Sequence, residues 1–266
     1  MTGQLEPGAT HLRRIRLAEL ELIRPWLPTP GKILEIGAGD GLQAGTMQTW
    51  GHEVTAIDIA DRPRPLTIHH PVLDYDGSHI PTATDEFNAA FSSNVLEHVR
   101  DLSGLLGEIK RVVRPGGTSV HLVPSATWRI ATSLSHYAFV TRYALSQVFG
   151  AEPPSLPVTR PISAESIRSR RGVLYLLRRA LIAGPHGEYP HAIAEIYYFS
   201  RRRWLRVFAE HEFEVIHAGG NCLFYSGYAT APSLSWERRY GLARWLGSSC
   251  HVFVLRARRG SLRSRQ

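Results

Sequence analysis

The chain has 266 residues, 43% of them hydrophobic, which suits one generous domain or a core domain carrying a cap. No run approaches the roughly 18 apolar residues of a spanning helix, no apolar leader core is visible near the amino terminus, and Cys222 and Cys250 stand in separate segments without a metal-ligand spacing; a globular protein of the reducing cytoplasm is expected, and neither a disulfide framework nor a zinc site is expected. The net charge of +8 is carried mostly by Arg, as in the 168–171 and 201–203 runs, and suits either a solvated surface or an anionic partner such as nucleic acid, lipid or a phosphorylated substrate.

Taken in order, Leu12, Ile15, Glu19, Leu22, Ile23 and Trp26 fall close to helical spacing and predict a helix over residues 10–26, with Thr10 as N-cap and Pro25 and Pro28 ending it. Lys32–Ile36 reads as a short buried strand, and Gly37-Ala38-Gly39-Asp40-Gly41 breaks it sharply before a helix over 42–50. Strand, tight turn and helix open a nucleotide-binding α/β unit. The three glycines remove β-carbons where a ligand must touch backbone, and the helix N-terminus is expected to offer unpaired N–H groups. A dinucleotide fingerprint needs a sixth-position glycine, and counting from Gly37 that place holds Leu42, so this motif is broken.

A second strand, Glu53–Asp58, ends in a carboxylate at the edge where ligands of doubly wound sheets sit, and its two oxygens suit both hydroxyls of a ribose; Asp61 is its local competitor. His69–Asp74 is a third strand and Phe87–Ser93 a fourth. Asn94 with Glu97 three residues on forms a capping-box pattern for a helix that follows. Leu102–Val113 is an amphipathic helix stopped by Arg114-Pro115-Gly116-Gly117, and Thr118–Val123 is the fifth strand.

The run Glu35-x-Gly37-x-Gly39-x-Gly41 resembles motif I of the class I S-adenosylmethionine-dependent methyltransferases, and the later landmarks resemble that family in the same order. The resemblance, to the small-molecule-acting, type 11-like branch, implies a loop at Glu35, Gly37, Gly39 and Gly41 that wraps the methionine half of S-adenosyl-L-methionine. It implies Asp58 on the ribose and Asp76-Gly77 on the adenine, the register set by Ile80-Pro81 with Asp74 as alternative. It also implies that the run 92–99, with Ser93 and Asn94, closes over the cofactor. Asn88 departs from the usual Asp and touches no contact in this set. The implied fold is α/β, a doubly wound Rossmann-like, seven-stranded, mostly parallel sheet, completed by helix Arg201–His211 and strands Phe213–Ala218 and His251–Ala257, the last strand antiparallel.

The division expected is a cofactor-binding core over 1–124, a helical cap for substrate over 125–199, completion of the core sheet over 200–258, and a basic tail over 259–266. In the cap, Trp128–Phe149 reads as one helix, followed by a Pro-rich connector over 152–161 and a basic amphipathic helix over 163–183, which suits packing on its neighbour or an anionic membrane surface. His98, His186 and His191 are the candidate catalytic bases. His186, Glu188 and His191 lack a spacing that names a metal, and none is expected.

The expected reaction is methyl transfer to an oxygen of a small molecule, a glycan or lipid-linked metabolite, an anionic one included. Two rivals stand beside it: a nucleic-acid methyltransferase, disfavoured by Ser92-Ser93-Asn94-Val95 where amino-directed enzymes carry an Asn/Asp-Pro-Pro-aromatic run, and a noncatalytic protein that keeps the cofactor pocket.

Overall fold

The computed structural model describes residues 7–60, 67–150, 186–189, 191–227 and 234–258. In chain order these form α1 (Pro7–Ile23), a short 3₁₀ turn (Arg24–Trp26), β1 (Lys32–Ile36), α2 (Leu42–Thr49), β2 (Glu53–Ile59), β3 (Val72–Tyr75) and β4 (Phe87–Ser93). There follow a 3₁₀ turn (Leu96–His98), α3 (Leu102–Val112), β5 (Val113–Pro124), α4 (Ala126–Phe149), α5 (Ala192–Tyr198), α6 (Arg201–Glu210), β6 (Phe213–Gly220), α7 (Trp236–Leu246) and β7 (Cys250–Ala257).

The seven strands form one sheet in the order β3-β2-β1-β4-β5-β7-β6. Six run in one direction, and β7 alone opposes them, antiparallel to both β5 and β6, as the sequence led us to expect. Strand order reverses between β1 and β4, the switch point where open α/β sheets leave a crevice at the carboxyl ends. Alternate residues of the central strands feed two cores, because side chains alternate across a sheet. Leu34, Ile36, Ala90, Phe253 and Leu255 pack with Leu105, Ile109, Trp204 and Phe208 of α3 and α6. Ile33, Phe91, Val120, Leu122, Val252 and Val254 pack on the other face with Leu20, Ile23 and Met47 of α1 and α2.

Three local expectations are corrected. Helix α1 begins at Pro7, so Thr10 lies inside it rather than capping it. Asn94 adopts a left-handed backbone (φ 56°), and the turn after it has Val95 at its N-cap with no side-chain cap bond, so the capping box does not form. Helix α3 is capped instead by Asp101, whose carboxylate accepts from the Gly104 amide at 2.9 Å. The run Arg114–Gly117 is not a turn between helix and strand: β5 already pairs with β4 at Phe87↔Val113, skips, and resumes at Ala89↔Thr118. The four residues bulge from a continuous strand, with Gly117 pressed so close to the Asn88 carbonyl that a Cβ would stand 2.7 Å from it.

The chain divides into two compact units. One comprises Leu12–Pro124, Ser200–Asn221 and Cys250–Gln266 and holds the sheet; the other comprises Met1–His11, Ser125–Phe199 and Cys222–Ser249. In the second unit, Ser125 caps α4 by accepting from the Trp128 amide at 3.1 Å and donates its own hydroxyl to the Ser248 carbonyl at 2.6 Å. Its centre is a buried ion pair, Arg129 to Glu195 at 3.0 Å, beside Trp128 and Phe199. The connector and basic helix expected over 152–183 lie outside the described residues, as does Asp61. No helix among the described residues is long and apolar enough to cross a membrane.

Candidate functional site

The glycine run is shaped by what it must avoid. Gly37, Gly39 and Gly41 all have positive φ (74°, 59° and 73°), where an L side chain is strained. A Cβ on Gly37 would strike the Val95 side chain, and one on Gly41 would stand 2.6 Å from the His70 carbonyl oxygen. A Cβ on Gly39 would meet nothing within 4 Å. Gly37 and Gly41 are thus glycine for the protein's own packing, whereas Gly39 borders open space.

Most amide donors of the turn, and that of Leu42 at the start of α2, are used within the protein. The Gly37 and Ala38 amides donate to the Ile57 carbonyl at 2.8 and 3.1 Å, and the Gly41 amide donates to Ala38 at 2.9 Å. The Gly39 amide donates to Asp58 Oδ2 at 2.7 Å, and the Leu42 amide donates to Asp40 Oδ1 at 3.2 Å. These amides are spent on holding the turn rigid. What the loop presents at Gly39 is a surface without a side chain.

Asp58, next to last in β2, is fixed from both sides, since Oδ1 accepts from the Ile59 amide at 2.7 Å while Oδ2 holds Gly39. Each carboxylate oxygen keeps acceptor capacity beyond one such bond, which suits two neighbouring hydroxyls. Glu35 is buried on the face it shares with Ile33, accepts from the Ala44 amide in the first turn of α2, and has Oε2 without a hydrogen bond. Burial first, and then the nearby charges of Asp40 and Asp58, push its carboxyl up to about 8, so it carries a proton at neutral pH.

Asp76 is exposed and closes a turn, its Oδ1 accepting from the Ser78 and His79 amides at 2.8 Å each. Those two bonds, that of His79 first, hold its carboxyl at about 2. Gly77 beside it has φ 84°, and Asp74 is an exposed residue of β3 in register with Asp58. After β4, the Asn94 amide donates to the Leu122 carbonyl at 2.8 Å, which fixes the Ser93-Asn94 corner at the end of the strand adjoining β1.

The three histidines fall in different settings. His98 closes the 3₁₀ turn after Asn94, with Nε2 3.7 Å from Glu97 Oε1. In the second unit, His186 packs its ring on Trp128 at 4.6 Å, and its backbone amide donates to Glu195 Oε1 at 2.6 Å. His191 is a helix cap, its Nδ1 accepting from the Ala194 amide at the start of α5.

Residues the sequence reading passed over complete the sheet's edge. Arg13 of α1 donates to Asp40 at 2.6 Å and meets His69 at 3.0 Å. Arg16 donates to Glu19 at 2.6 Å, and Glu19 in turn accepts from the Asn221 side chain at 2.7 Å. Their signal was a spacing of three along one helix face, hidden because Glu19 was counted within the apolar stripe. Ser92 and His121 form a further buried pair at 2.8 Å; burial drives the imidazole down to about 3 and keeps it neutral.

S-adenosylmethionine fits this donor set on two structural grounds: the uncovered surface at Gly39, and the orphaned buried oxygen of Glu35 among acids that suit a cationic, hydroxyl-bearing ligand. A glycine turn without the sixth-position glycine of the dinucleotide fingerprint, an acid on the next strand, and a seven-stranded sheet whose β7 alone is antiparallel together match the class I S-adenosylmethionine-dependent methyltransferase fold. Residues 9–218 match the family described as "Methyltransferase domain", and the chain belongs to that family.

Among curated relatives it is 36% identical over 94 residues to a ubiquinone biosynthesis O-methyltransferase of Methylocella silvestris, covering 32% of this chain and 37% of that protein. It is 33% identical over 91 residues to a malonyl-[acyl-carrier protein] O-methyltransferase of Salmonella typhimurium, covering 32% of this chain and 36% of that one. The chain thus spans well under half the length of these relatives. A crystal structure of an S-adenosylmethionine-dependent methyltransferase from Mesorhizobium loti superposes with a TM-score of 0.50 at 17% identity, covering 90% of this chain and 97% of that one, which is a likeness of fold.

Proposed function

We propose that the protein transfers a methyl group from S-adenosyl-L-methionine to an oxygen of a small-molecule acceptor. The observation that carries this reading is the pairing of Asp58 with the Gly39 amide at 2.7 Å, which joins an acceptor for ribose hydroxyls to the one glycine of the turn that faces open space. When bound, the cofactor supplies an electrophilic methyl on a sulfonium and its own leaving group. The chain's residues then bind and align: Asp58 on the ribose, Asp76 and Gly77 on the adenine, Glu35 and the glycine turn at the methionine half, Ser93 and Asn94 closing the side next to β4. Oxygen as the acceptor atom follows the names of the ubiquinone and malonyl relatives.

Of the three histidines we retain His98 as the base, because it stands on the corner that follows β4. His186 belongs to acceptor recognition in the second unit. Nδ1 of His191 is spent on capping. Alignment is worth about 7 to 11 kcal/mol of barrier, whereas a positioned base adds about 10² to 10⁴ in rate, so loss of cofactor-holding groups is expected to outweigh loss of any one histidine.

An anionic or lipid-linked acceptor, with contact to a membrane surface, suits the +8 charge and the exposed row Ile130, Leu134, Tyr137, Leu145 and Val148 along α4. Sedimentation with anionic phospholipid vesicles tests that refinement, and protein left wholly in the supernatant removes it. We place the reaction in the cytoplasm, where the free thiols of Cys222 and Cys250 persist. The main reading is tested by titration calorimetry with S-adenosylhomocysteine. Asp58→Ala is expected to weaken binding on the order of 10- to 100-fold, the loss of two charge-assisted bonds, and unchanged affinity refutes the ribose assignment.

A further inference from the structure

We propose that Glu108 and Arg111 of α3 set the cofactor's base preference by holding the loop that carries Asp76, an inference that rests on the cofactor reading above. Strand β3 ends at Tyr75 and the next strand begins at Phe87, so no ladder fixes the residues between them. Asp76 organises only its own turn, through the Ser78 and His79 amides. A carboxylate that meets one edge of a flat base needs its height and angle fixed from outside that turn, because a hydrogen bond weakens steeply as its geometry fails.

Helix α3 supplies that support. Glu108 Oε2 accepts from the Ile80 amide at 2.9 Å, and Arg111 donates from Nη2 to the Ile80 carbonyl and from Nη1 to the Thr82 carbonyl, each at 2.8 Å. Both backbone groups of Ile80 are thus taken by side chains one turn apart on one helix. Those side chains also lock each other: Arg111 Nε donates to Glu108 Oε1 at 2.8 Å and Nη2 donates to Oε2 at 2.7 Å, the two-pronged match of a guanidinium and a carboxylate. The Arg111 bond comes first among the causes that hold the Glu108 carboxyl below its ordinary value, against the pull of burial. His79 adds its Nδ1 at 3.0 Å from Glu108 Oε2.

The Ile80 side chain finishes the attachment, fully buried in the core that holds Leu105, Leu106 and Ile109 of the same helix. Apolar packing of this kind is non-directional, so it keeps the loop down without choosing where its polar edge points. The Glu108–Arg111 pair is directional and supplies that choice. Asp76 is then the ligand contact, and Glu108 and Arg111 are positioning residues.

The test reads base preference by calorimetry with two ligands: S-adenosylhomocysteine, and S-inosylhomocysteine, in which a carbonyl oxygen replaces the amine that a carboxylate accepts from. The unaltered protein is expected to prefer the first by on the order of 10- to 100-fold. Glu108→Gln keeps the side chain's size and removes the charge that seats the guanidinium; it is expected to narrow that preference about tenfold, through weaker binding of S-adenosylhomocysteine. Arg111→Lys, which keeps the charge but lacks the fork, is expected to do the same. A preference unchanged in either variant overturns the proposal, whether the two affinities hold or fall together, since a merely structural support moves both alike. Should neither variant fold, amide exchange on the unaltered protein carries the test: the Ile80 amide is expected to be protected before any ligand is added, and protection that arises only with S-adenosylhomocysteine is fatal. An unaltered protein that binds the two ligands alike, or neither, sinks the placing of adenine on Asp76, a result distinct from every outcome above.

Discussion

Glu35 and Glu195 are both buried carboxyl groups, and the protein surrounds them in opposite ways. In the unit built around α4, Glu195 accepts from Arg129 at 3.0 Å and from the consecutive amides of His186 and Gly187 at 2.6 Å each. Burial pushes its carboxyl up, and those three donors pull against it. In the sheet unit, Glu35 has one amide, Ala44, two neighbouring acids and an oxygen that bonds to nothing. The contrast separates a carboxyl spent on architecture from a carboxyl left open to a ligand. A buried group whose hydrogen bonds are complete holds a loop, while one left incomplete beside a side-chain-free surface marks where a ligand's own polar atoms belong.

Breaking the Arg129–Glu195 pair has the largest expected effect. Arg129→Met leaves Glu195 buried without its cation and is expected to cost about 3–5 kcal/mol in urea unfolding, the usual penalty for stranding one partner. A cost below about 1 kcal/mol would show that the pair is not the anchor drawn above.

Glu35→Gln is next, and its sign depends on pH. The folded carboxyl titrates near 8 against about 4.5 in the unfolded chain, so across that window the folded state holds a proton that the unfolded state has lost. Stability is therefore greatest at acid pH and drains away as pH rises through the window. The amide cannot titrate, so the variant is expected to gain on the order of 1–4 kcal/mol over the unaltered ligand-free protein at pH 8.5 and little at pH 5. His121, held neutral with its imidazole near 3, works in the opposite sense and withdraws stability as pH falls below about 6.5. Denaturation midpoints at the two pH values check the difference; parallel curves for Glu35→Gln and the unaltered protein would erase the contrast with Glu195.

The smallest stability effect is expected at Gly39→Ala, about 1 kcal/mol for an L residue at φ 59° with no neighbour to strike. Affinity for S-adenosylhomocysteine is nevertheless expected to fall roughly tenfold, because the added methyl occupies the ligand's side of the turn. A variant that binds normally would move the cofactor away from Gly39.

The sheet was legible because its signals are local. Lys32–Ile36 and Phe87–Ser93 are bounded by residues that break or bury strands, and the structure begins and ends them where the pattern does. Asp58 was legible for the same reason, since the end of a buried strand can be counted along the chain. The polar framework was not. Arg16 and Glu19 of α1, Asn94 and Asn221 come from three distant segments, and no periodicity links the three. Glu19 was read as part of an apolar stripe because burial and apolarity give the same period, and only its partners reveal why an acid sits there. The bulge at Arg114–Gly117 shares its residue types with an ordinary helix stop, so composition alone misplaced the start of β5. Helix α7 went unremarked because its buried face includes Arg239, satisfied by the carbonyls of Leu234 and Phe224, where a scan for apolar spacing finds a charge.

The joint between Asn221 and Cys250 has a consequence for how such proteins diversify. The backbones of these two residues bond to each other, the Asn221 carboxamide closes the same gap from its own side, and Gly220 faces His251 across the ladder. Everything from Cys222 to Ser249 hangs from this cinched neck and belongs to the other compact unit. Evolution or a protein engineer can therefore swap that loop for another, or trim it to a tight hairpin, while the strands on either side stay zipped in their present alignment.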